Sequence, residues 1–125
     1  MFGDNDAIAT IAVKDLKVAR KFYEQTLGLK PMESNEPSVA QYSSGKSSVL
    51  VYESRYAGTN QATAATWSVG GDIEAIVRTL KSRGVAFEHY ALPGLTVKGD
   101  IHVAGNFKAA WFKDPDGNIL QIVTR

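Results

Sequence analysis

Ile8-Ala9-Thr10-Ile11-Ala12-Val13-Lys14-Asp15-Leu16 returns later in the chain as Ala64-Ala65-Thr66-Trp67-Ser68-Val69-Gly70-Gly71-Asp72-Ile73. Each copy is a short run rich in β-branched and small residues, followed by an aspartate that opens a helical pattern. The two aspartates lie 57 positions apart, and the glycines that close the helical patterns, Gly28 and Gly84, lie 56 apart. A period of this length marks a repeated supersecondary unit. Two copies are too few for a solenoid, so the pattern reads as a duplication with two similar halves.

Asp15 and Asp72 are suited to be N-caps, because a carboxylate accepts from orphan backbone N–H groups and complements the positive end of the helix dipole. Leu16, Ala19, Phe22, Tyr23 and Leu27 fall on one helical stripe, as do Ile73, Ile76, Val77 and Leu80. Gly28 and Gly84 can adopt the left-handed conformation that ends a helix. Helices are therefore predicted from Asp15 to Gly28 and from Asp72 to Gly84.

Strands are predicted over 7–13, 29–33, 38–43 and 48–54 in the first half, and over 63–69, 85–90, 107–113 and 118–124 in the second. Asp114-Pro115-Asp116-Gly117 is a tight turn, since Pro presets φ and Gly supplies a positive φ. It joins the last two strands as a hairpin, with Phe112 expected opposite Ile119 and Ala110 opposite Gln121. Each half then reads β-α-β-β-β, an α+β pattern with eight strands and two helices in one domain of residues 1–125. Module one spans about 7–57 and module two about 63–125. A helix on one face of each sheet leaves the other face free to line a cavity.

Composition narrows the function classes. The 125 residues are 44% hydrophobic, enough for a buried core, and contain no cysteine for a disulfide or a thiolate site. Fourteen basic residues against thirteen acidic give a net charge of +1, spread evenly over the two halves. Phosphate neutralisation of a nucleic acid has little to work with, and no basic stripe is interleaved with aromatics. No apolar run approaches the roughly 20 residues of a membrane span. The acidic start, Met1-Phe2-Gly3-Asp4-Asn5-Asp6, does not resemble a signal peptide. The expectation is a soluble cytoplasmic domain without nucleic-acid or membrane partners. Gly70-Gly71 precedes a capping aspartate, which would repel phosphate, and no Lys-Ser/Thr follows. Neither a GxGxxG nor a Gly-x-Ser-x-Gly sequence occurs.

Three passages carry a family likeness: Val13-Lys14-Asp15-Leu16 with Ala19, Phe22-Tyr23 and Leu27-Gly28-Leu29; Asp72-Ile73-Glu74-Ala75 with Leu80 and Arg83-Gly84-Val85; and Ala110 through Asp114-Pro115-Asp116-Gly117-Asn118-Ile119-Leu120. In this order they resemble the vicinal oxygen chelate superfamily, the glyoxalase, bleomycin-resistance and extradiol-dioxygenase group. The likeness covers nearly the whole chain, thinning between Gly58 and Thr63 and between Pro93 and Asn106. It implies two tandem βαβββ modules forming a cup-shaped eight-stranded sheet, helices outside, around a small-molecule site, often in a homodimer.

In metal-dependent members of that superfamily the cup holds a divalent ion through four side chains, usually His and Glu, from the first and last strands of each module. Counting from the shared motifs, those positions fall here on Ile8, Val51, Ala64 (or Ala65) and Gln121. None is a good ligand, and the amide oxygen of Gln121 alone does not hold a divalent ion. The usual metal site is therefore expected to be absent, with no cofactor in its place.

If Ile8 faces the cavity, so do Thr10 and Ala12, leaving Ala9, Ile11 and Val13 under the helix. The same reasoning sends Val49, Val51, Ala64, Thr66 and Ser68 inward, joined by Gln121 and Glu53, with Ala65, Trp67 and Val69 helix-facing. Phe112 adds an aromatic wall. His102 follows Asp100-Ile101 in a glycine-bearing stretch and reads either as a solvated loop residue or as a member of a relocated site; His89 reads as an exposed edge residue. The segment 91–106 is long for a connection and reads as a lid carrying Leu92, Leu95 and His102 with neighbouring Tyr90, as added strand pairing, or as a dimer contact. Arg55, near Tyr52 and Tyr56, is a candidate for an anionic ligand.

The candidate ligand-binding set is thus Ile8, Thr10, Val51, Glu53, Thr66, Ser68, His102, Phe112 and Gln121. A pocket of this kind takes an apolar or planar small molecule and orients it through a few polar groups. The leading expectation is binding without a metal, as in bleomycin resistance. The alternative is a lyase, isomerase or dioxygenase-type enzyme, using Glu53, Gln121 and His102 as atypical ligands or Glu53 or His102 as a base. A third is an interaction module whose cup is filled.

Overall fold

The computed structural model describes residues 1–34 and 36–124. The chain divides into two compact units: Met1–Asn60 with Pro115–Asn118, and Gln61–Asp114 with Ile119–Arg125. The first unit contains β1 (Ala9–Val13), α1 (Leu16–Arg20) continued by a π-helical turn (Lys21–Thr26), β2 (Lys30–Met32), β3 (Val39–Ser44) and β4 (Ser47–Glu53). The second contains β5 (Thr63–Ser68), α2 (Ile73–Ser82), β6 (Phe87–Glu88), β7 (Thr96–Lys98), β8 (Ile101–Ala104), β9 (Phe107–Lys113) and β10 (Ile119–Thr124). The fold is α+β, as the pattern predicts. The described residues form ten strands in two mixed sheets where eight in one were expected.

The repeat is visible in the topology. The first sheet runs β1-β4-β3-β2 and the second β5-β10-β9-β8-β7, with β6 also on β9. In each sheet the first strand lies parallel to the last one of its half, β1 with β4 and β5 with β10, and the remaining pairs are antiparallel. Both caps form: the Asp15 carboxylate accepts from Lys17 N at 2.9 Å and the Asp72 carboxylate from Ala75 N at 3.0 Å. Leu16 and Ala19 are buried from α1, and Ile73, Val77 and Leu80 from α2.

The first helix departs from the prediction beyond Arg20. Leu27 N donates to Phe22 O at 3.0 Å, an i→i−5 bond, so the last turn is widened. That turn buries Tyr23 completely, stacked at 6.3 Å on buried Tyr42, and brings Glu24 to Tyr42. The segment 91–106 takes the strand-pairing reading, one of the three it offered. It forms the β7–β8 hairpin and extends the sheet through β8 on β9.

The Asp114–Gly117 turn is a second departure. Its register is Lys113↔Ile119, Phe112↔Leu120 and Trp111↔Gln121, one residue away from the expected Phe112–Ile119 pairing. Asn118 is drawn out of the strand, its side-chain amide donating to Ala12 O at 2.7 Å, and the loop gains a residue. The Asp116 carboxylate, in the same turn, accepts from Lys14 N at 3.3 Å. Residues 115–118 thus belong to the first unit although the strands they join belong to the second.

Candidate functional site

Strand pairing assigns each side chain to a face, because paired residues point the same way and neighbours along a strand point oppositely. In the first unit, Ile11 pairs with Val51 and Val13 with Glu53, whereas Thr10 pairs with Leu50 and Ala12 with Tyr52. Ile11, Val13, Val49 and Val51 are buried on the side that carries α1. The open face is formed by Thr10, Ala12, Leu50 and Tyr52. This corrects the expectation for Val51 and Glu53: neither shares a face with Thr10. The Glu53 carboxylate instead accepts from Leu16 N at 3.0 Å, adding a long-range cap to α1. The alternation in β4 was ambiguous because Val49, Leu50, Val51 and Tyr52 are all apolar.

Ile8 precedes β1 and is 46% exposed, at the edge of a shallow depression of about 450 Å³ shared with Met32, Ser43 and Ser48. Arg55 is engaged locally: its guanidinium donates to Tyr56 Oη at 2.7 Å and lies 4.9 Å from the ring centroid.

The second unit places more chemistry on its open face. Gln121 pairs with Thr66 on one side and with Trp111 on the other, Ala109 pairs with His102, and Val123 with Ser68. Thr66, Ser68, Gln121, Trp111 and His102 therefore share one face. Phe112, with Leu120, points to the other, where Lys108 pairs with Glu74 of α2 at 2.6 Å. Phe112 is almost fully buried there, edge-on to Phe87 at 5.7 Å. The aromatic wall expected from Phe112 is supplied by Trp111, a consequence of the one-residue shift in register.

A bulge makes a second correction. Between Ile119 and Leu120 the partner strand advances from Thr63 to Ala65, leaving Ala64 as the extra residue. Thr63, not Ala64, joins the open face, and its hydroxyl accepts from Trp111 Nε1 at 3.2 Å. Thr66 donates to Gln121 Oε1 at 2.9 Å. A strip of exposed threonine and serine side chains thus borders half-buried Gln121 and buried Trp111.

Beyond Trp111 the face is closed. His102 lies in β8, fully buried, where a solvated loop residue was one expectation. Its ring stands edge-on to Trp111 at 4.8 Å, and Tyr90 stands edge-on to the same indole at 5.5 Å. Leu95, Phe107 and Val123 pack on this cluster. Tyr90 N donates to His102 Nε2 at 2.9 Å, so the neutral imidazole carries its proton on Nδ1. His102 Nδ1 and Tyr90 Oη are both buried without a hydrogen-bond partner. Burial, and then the charge of Glu88, push the Tyr90 hydroxyl above its ordinary pKa, so it remains an O–H donor.

Asp100, in the turn before β8, and His102, within the strand, do not act together. Asp100 accepts from Lys81 at 2.7 Å and lies 2.8 Å from His89 Nε2. These contacts hold its carboxyl below the usual range, with the Lys81 hydrogen bond as the larger cause.

The residues that the resemblance assigns to the chelating positions do not fit a divalent metal. Val51 is buried under α1, Ala64 sits in a bulge, Ile8 has no donor atom, and Gln121 Oε1 already accepts from Thr66. Among the described residues, no group of three or more His, Cys, Asp or Glu side chains is placed to hold a metal ion. None of the described helices is long and apolar enough to cross a membrane.

A duplicated β-α-β-β-β plan with a parallel first and last strand, carrying one richly functional open face, defines a glyoxalase-type α+β protein. The family model described as Glyoxalase/Bleomycin resistance protein/Dioxygenase superfamily matches residues 6–122, and the chain belongs to that superfamily. No curated protein matches its sequence. Among solved structures, the fosfomycin resistance protein FosX from Listeria monocytogenes superposes with a TM-score of 0.74 at 13% identity, over 98% of this chain and 93% of that one. Lactoylglutathione lyase from Agrobacterium tumefaciens gives 0.71 at 13% identity, over 97% and 93%. A glyoxalase/bleomycin resistance protein from Streptomyces sp. CB03234 gives 0.63 at 19% identity, over 94% and 98%. At these identities the likeness is one of fold.

Proposed function

We propose that the protein binds a small, apolar or aromatic molecule on the open face of its second unit, without a metal. The observation that carries this reading is the juxtaposition of Trp111 and Gln121 with an exposed hydroxyl strip on one side and two unpartnered buried polar atoms on the other. A planar ligand can lie along Thr66, Ser68 and Gln121 with one edge against the indole; apolar contact supplies affinity and the hydroxyls supply orientation. Relatives in fold include resistance proteins as well as a lyase, and a binding role needs no reacting group.

Catalysis by the expected carboxylate or imidazole is less well supported. Glu53 lies on the α1 side of its sheet and is engaged with Leu16 N, and the basic nitrogen of His102 is occupied by Tyr90 N–H. A general base needs an accessible lone pair. The test is thermal denaturation with and without EDTA, alongside elemental analysis and titration with flat aromatic compounds. A rise in Tm with one or more aromatics, and none of the EDTA sensitivity of a metalloprotein, is expected. Stoichiometric metal that is lost on chelation, with a fall in Tm, overturns the reading.

A further inference from the structure

We infer that Tyr90 and His102 form the polarity-reading end of this site and select ligands that carry a neutral carbonyl oxygen; this rests on the binding role proposed above. The argument begins with two donors that have nowhere to donate. Tyr90 N–H occupies His102 Nε2, which fixes the proton of the neutral ring on Nδ1. That Nδ1–H and the Tyr90 O–H are both buried and both unpartnered. A buried polar group without a partner is costly, and native structures tolerate few of them. Here two occur in side chains whose ring centroids are 6.3 Å apart, at 33° to one another, both edge-on to Trp111.

The same cluster satisfies its other polar atoms. Trp111 Nε1 reaches Thr63, and His102 Nε2 has Tyr90 N–H. The two orphans are therefore specific atoms beside the indole on which the ligand is proposed to rest. Both are donors, and a carbonyl oxygen has two lone pairs to receive them. A neutral acceptor suits an enclosed aromatic surround better than a carboxylate, whose desolvation costs more.

Access lies with Tyr90. It is half-buried and belongs to residues 89–95, which lie outside any strand and contain Pro93 and Gly94. Rotation of the Tyr90 side chain, with its backbone N–H left on His102 Nε2, opens both donors to a ligand edge entering past Trp111. The ligand class is then a flat aromatic amide or ketone, oriented with its ring on Trp111 and its oxygen toward Tyr90 and His102. Hydrogen bonds of this kind discriminate well, since an analogue without the oxygen leaves the buried donors unpaired.

Benzamide and toluene, matched in ring and differing in the acceptor, are the probes, with binding followed by NMR at the Trp111 indole N–H. Wild-type protein is expected to bind benzamide at least about tenfold more tightly than toluene, equivalent to about 1.4 kcal/mol. Tyr90→Phe, which deletes an atom with no partner and so spares the fold, is expected to bring that ratio to within about threefold. A downfield shift of the His102 Nδ1–H proton on adding benzamide is expected as a second readout. Equal binding of both probes, or an unchanged ratio in Tyr90→Phe, overturns this inference alone. Binding of neither probe, with no response to a wider set of aromatics, overturns the binding role itself.

Discussion

The two units share a strand order and differ in where they put their aromatic rings. In the first, Tyr23 and Tyr42 stack beneath the helix, and the open face holds Thr10, Ala12, Leu50 and Tyr52. In the second, Phe87 and Phe112 fill the helix side, and Trp111, Tyr90 and His102 stand on the open face. The buried hydroxyls differ in the same sense. Tyr42 donates to Glu24 at 2.9 Å, whereas Tyr90 donates to nothing. One copy pairs its buried hydroxyl within its own core, and the other leaves two buried polar atoms unpartnered beside its open face. The same strand order thus carries two distributions of polar groups, and the β7–β8 hairpin, without a counterpart among the first unit's described residues, supplies the strand that brings His102 in.

The hardest test of the first unit is its dependence on a borrowed turn. Gly58 has φ of +72°, and a Cβ there would overlap the Asp116 carbonyl oxygen, which is backbone and has little freedom to retreat. Gly58→Ala is expected to cost about 3–4 kcal/mol, combining left-handed strain with the steric clash. Urea denaturation measures it, and amide exchange at Ile11, Val13 and Val51 should quicken. A loss under about 1 kcal/mol would show that the close approach is not maintained in solution.

Asn118→Ala follows. Asn118 is buried, and its amide is the donor to Ala12 O. Removing it leaves that carbonyl unpaired, at an expected cost of about 1–3 kcal/mol read from the denaturation midpoint.

This residue also marks the limit of what the sequence disclosed. Both helix starts and the α+β class follow from local signals: a capping aspartate, a stripe, a closing glycine. The face assignment of β9 does not, because it turns on whether Asn118 belongs to the strand or the turn, and that is decided by a carbonyl 106 residues away. A shift of one residue exchanged Phe112 for Trp111 on the open face. The π-helical turn was equally hidden, since the turn's Tyr23 stacks on Tyr42 of β3, far along the chain. The β7–β8 hairpin was partly legible: Gly99-Asp100 sits between two short β-branched runs, a two-residue turn signal. That Tyr90 and His102 meet at Trp111 had no sequence signal, because it depends on the three-dimensional pairing of β8 with β9.

Tyr42→Phe tests the paired hydroxyl. Burial, and then the neighbouring Glu24 carboxylate, push the Tyr42 hydroxyl well above the phenol range, so it stays a donor at all ordinary pH. Removing it strands the Glu24 carboxylate, at an expected cost of about 1–2 kcal/mol in thermal or urea unfolding.

A smaller effect should come from Asp100, tied to Lys81 of α2 and to His89. Its folded-state pKa is lowered, chiefly by the Lys81 hydrogen bond. A lowered carboxyl pKa means stabilisation that is complete above the unfolded value, about 3.9, and fades as pH falls through the lower folded-state value. Asp100→Asn is expected to flatten that acid limb, lowering the urea midpoint at about pH 6 and converging with wild type near about pH 2. Added salt should shrink the difference, because Lys81 is largely exposed. Parallel acid limbs in the two proteins would assign the effect to other carboxyls.

The smallest effect on stability carries the most information about the contrast. Tyr90→Phe removes a buried oxygen that contacts no acceptor, so folding no longer has to desolvate it for nothing. Its unfolding free energy is expected to stay within about 0.5 kcal/mol of wild type or to rise, against a loss for Tyr42→Phe. The same conservative deletion, in two halves built on one plan, should therefore give opposite signs or nearly so. A loss for Tyr90→Phe as large as that for Tyr42→Phe would mean that its hydroxyl is satisfied in solution. The second unit would then have paired its buried hydroxyl as fully as the first, and its open face would have no donor left for a ligand.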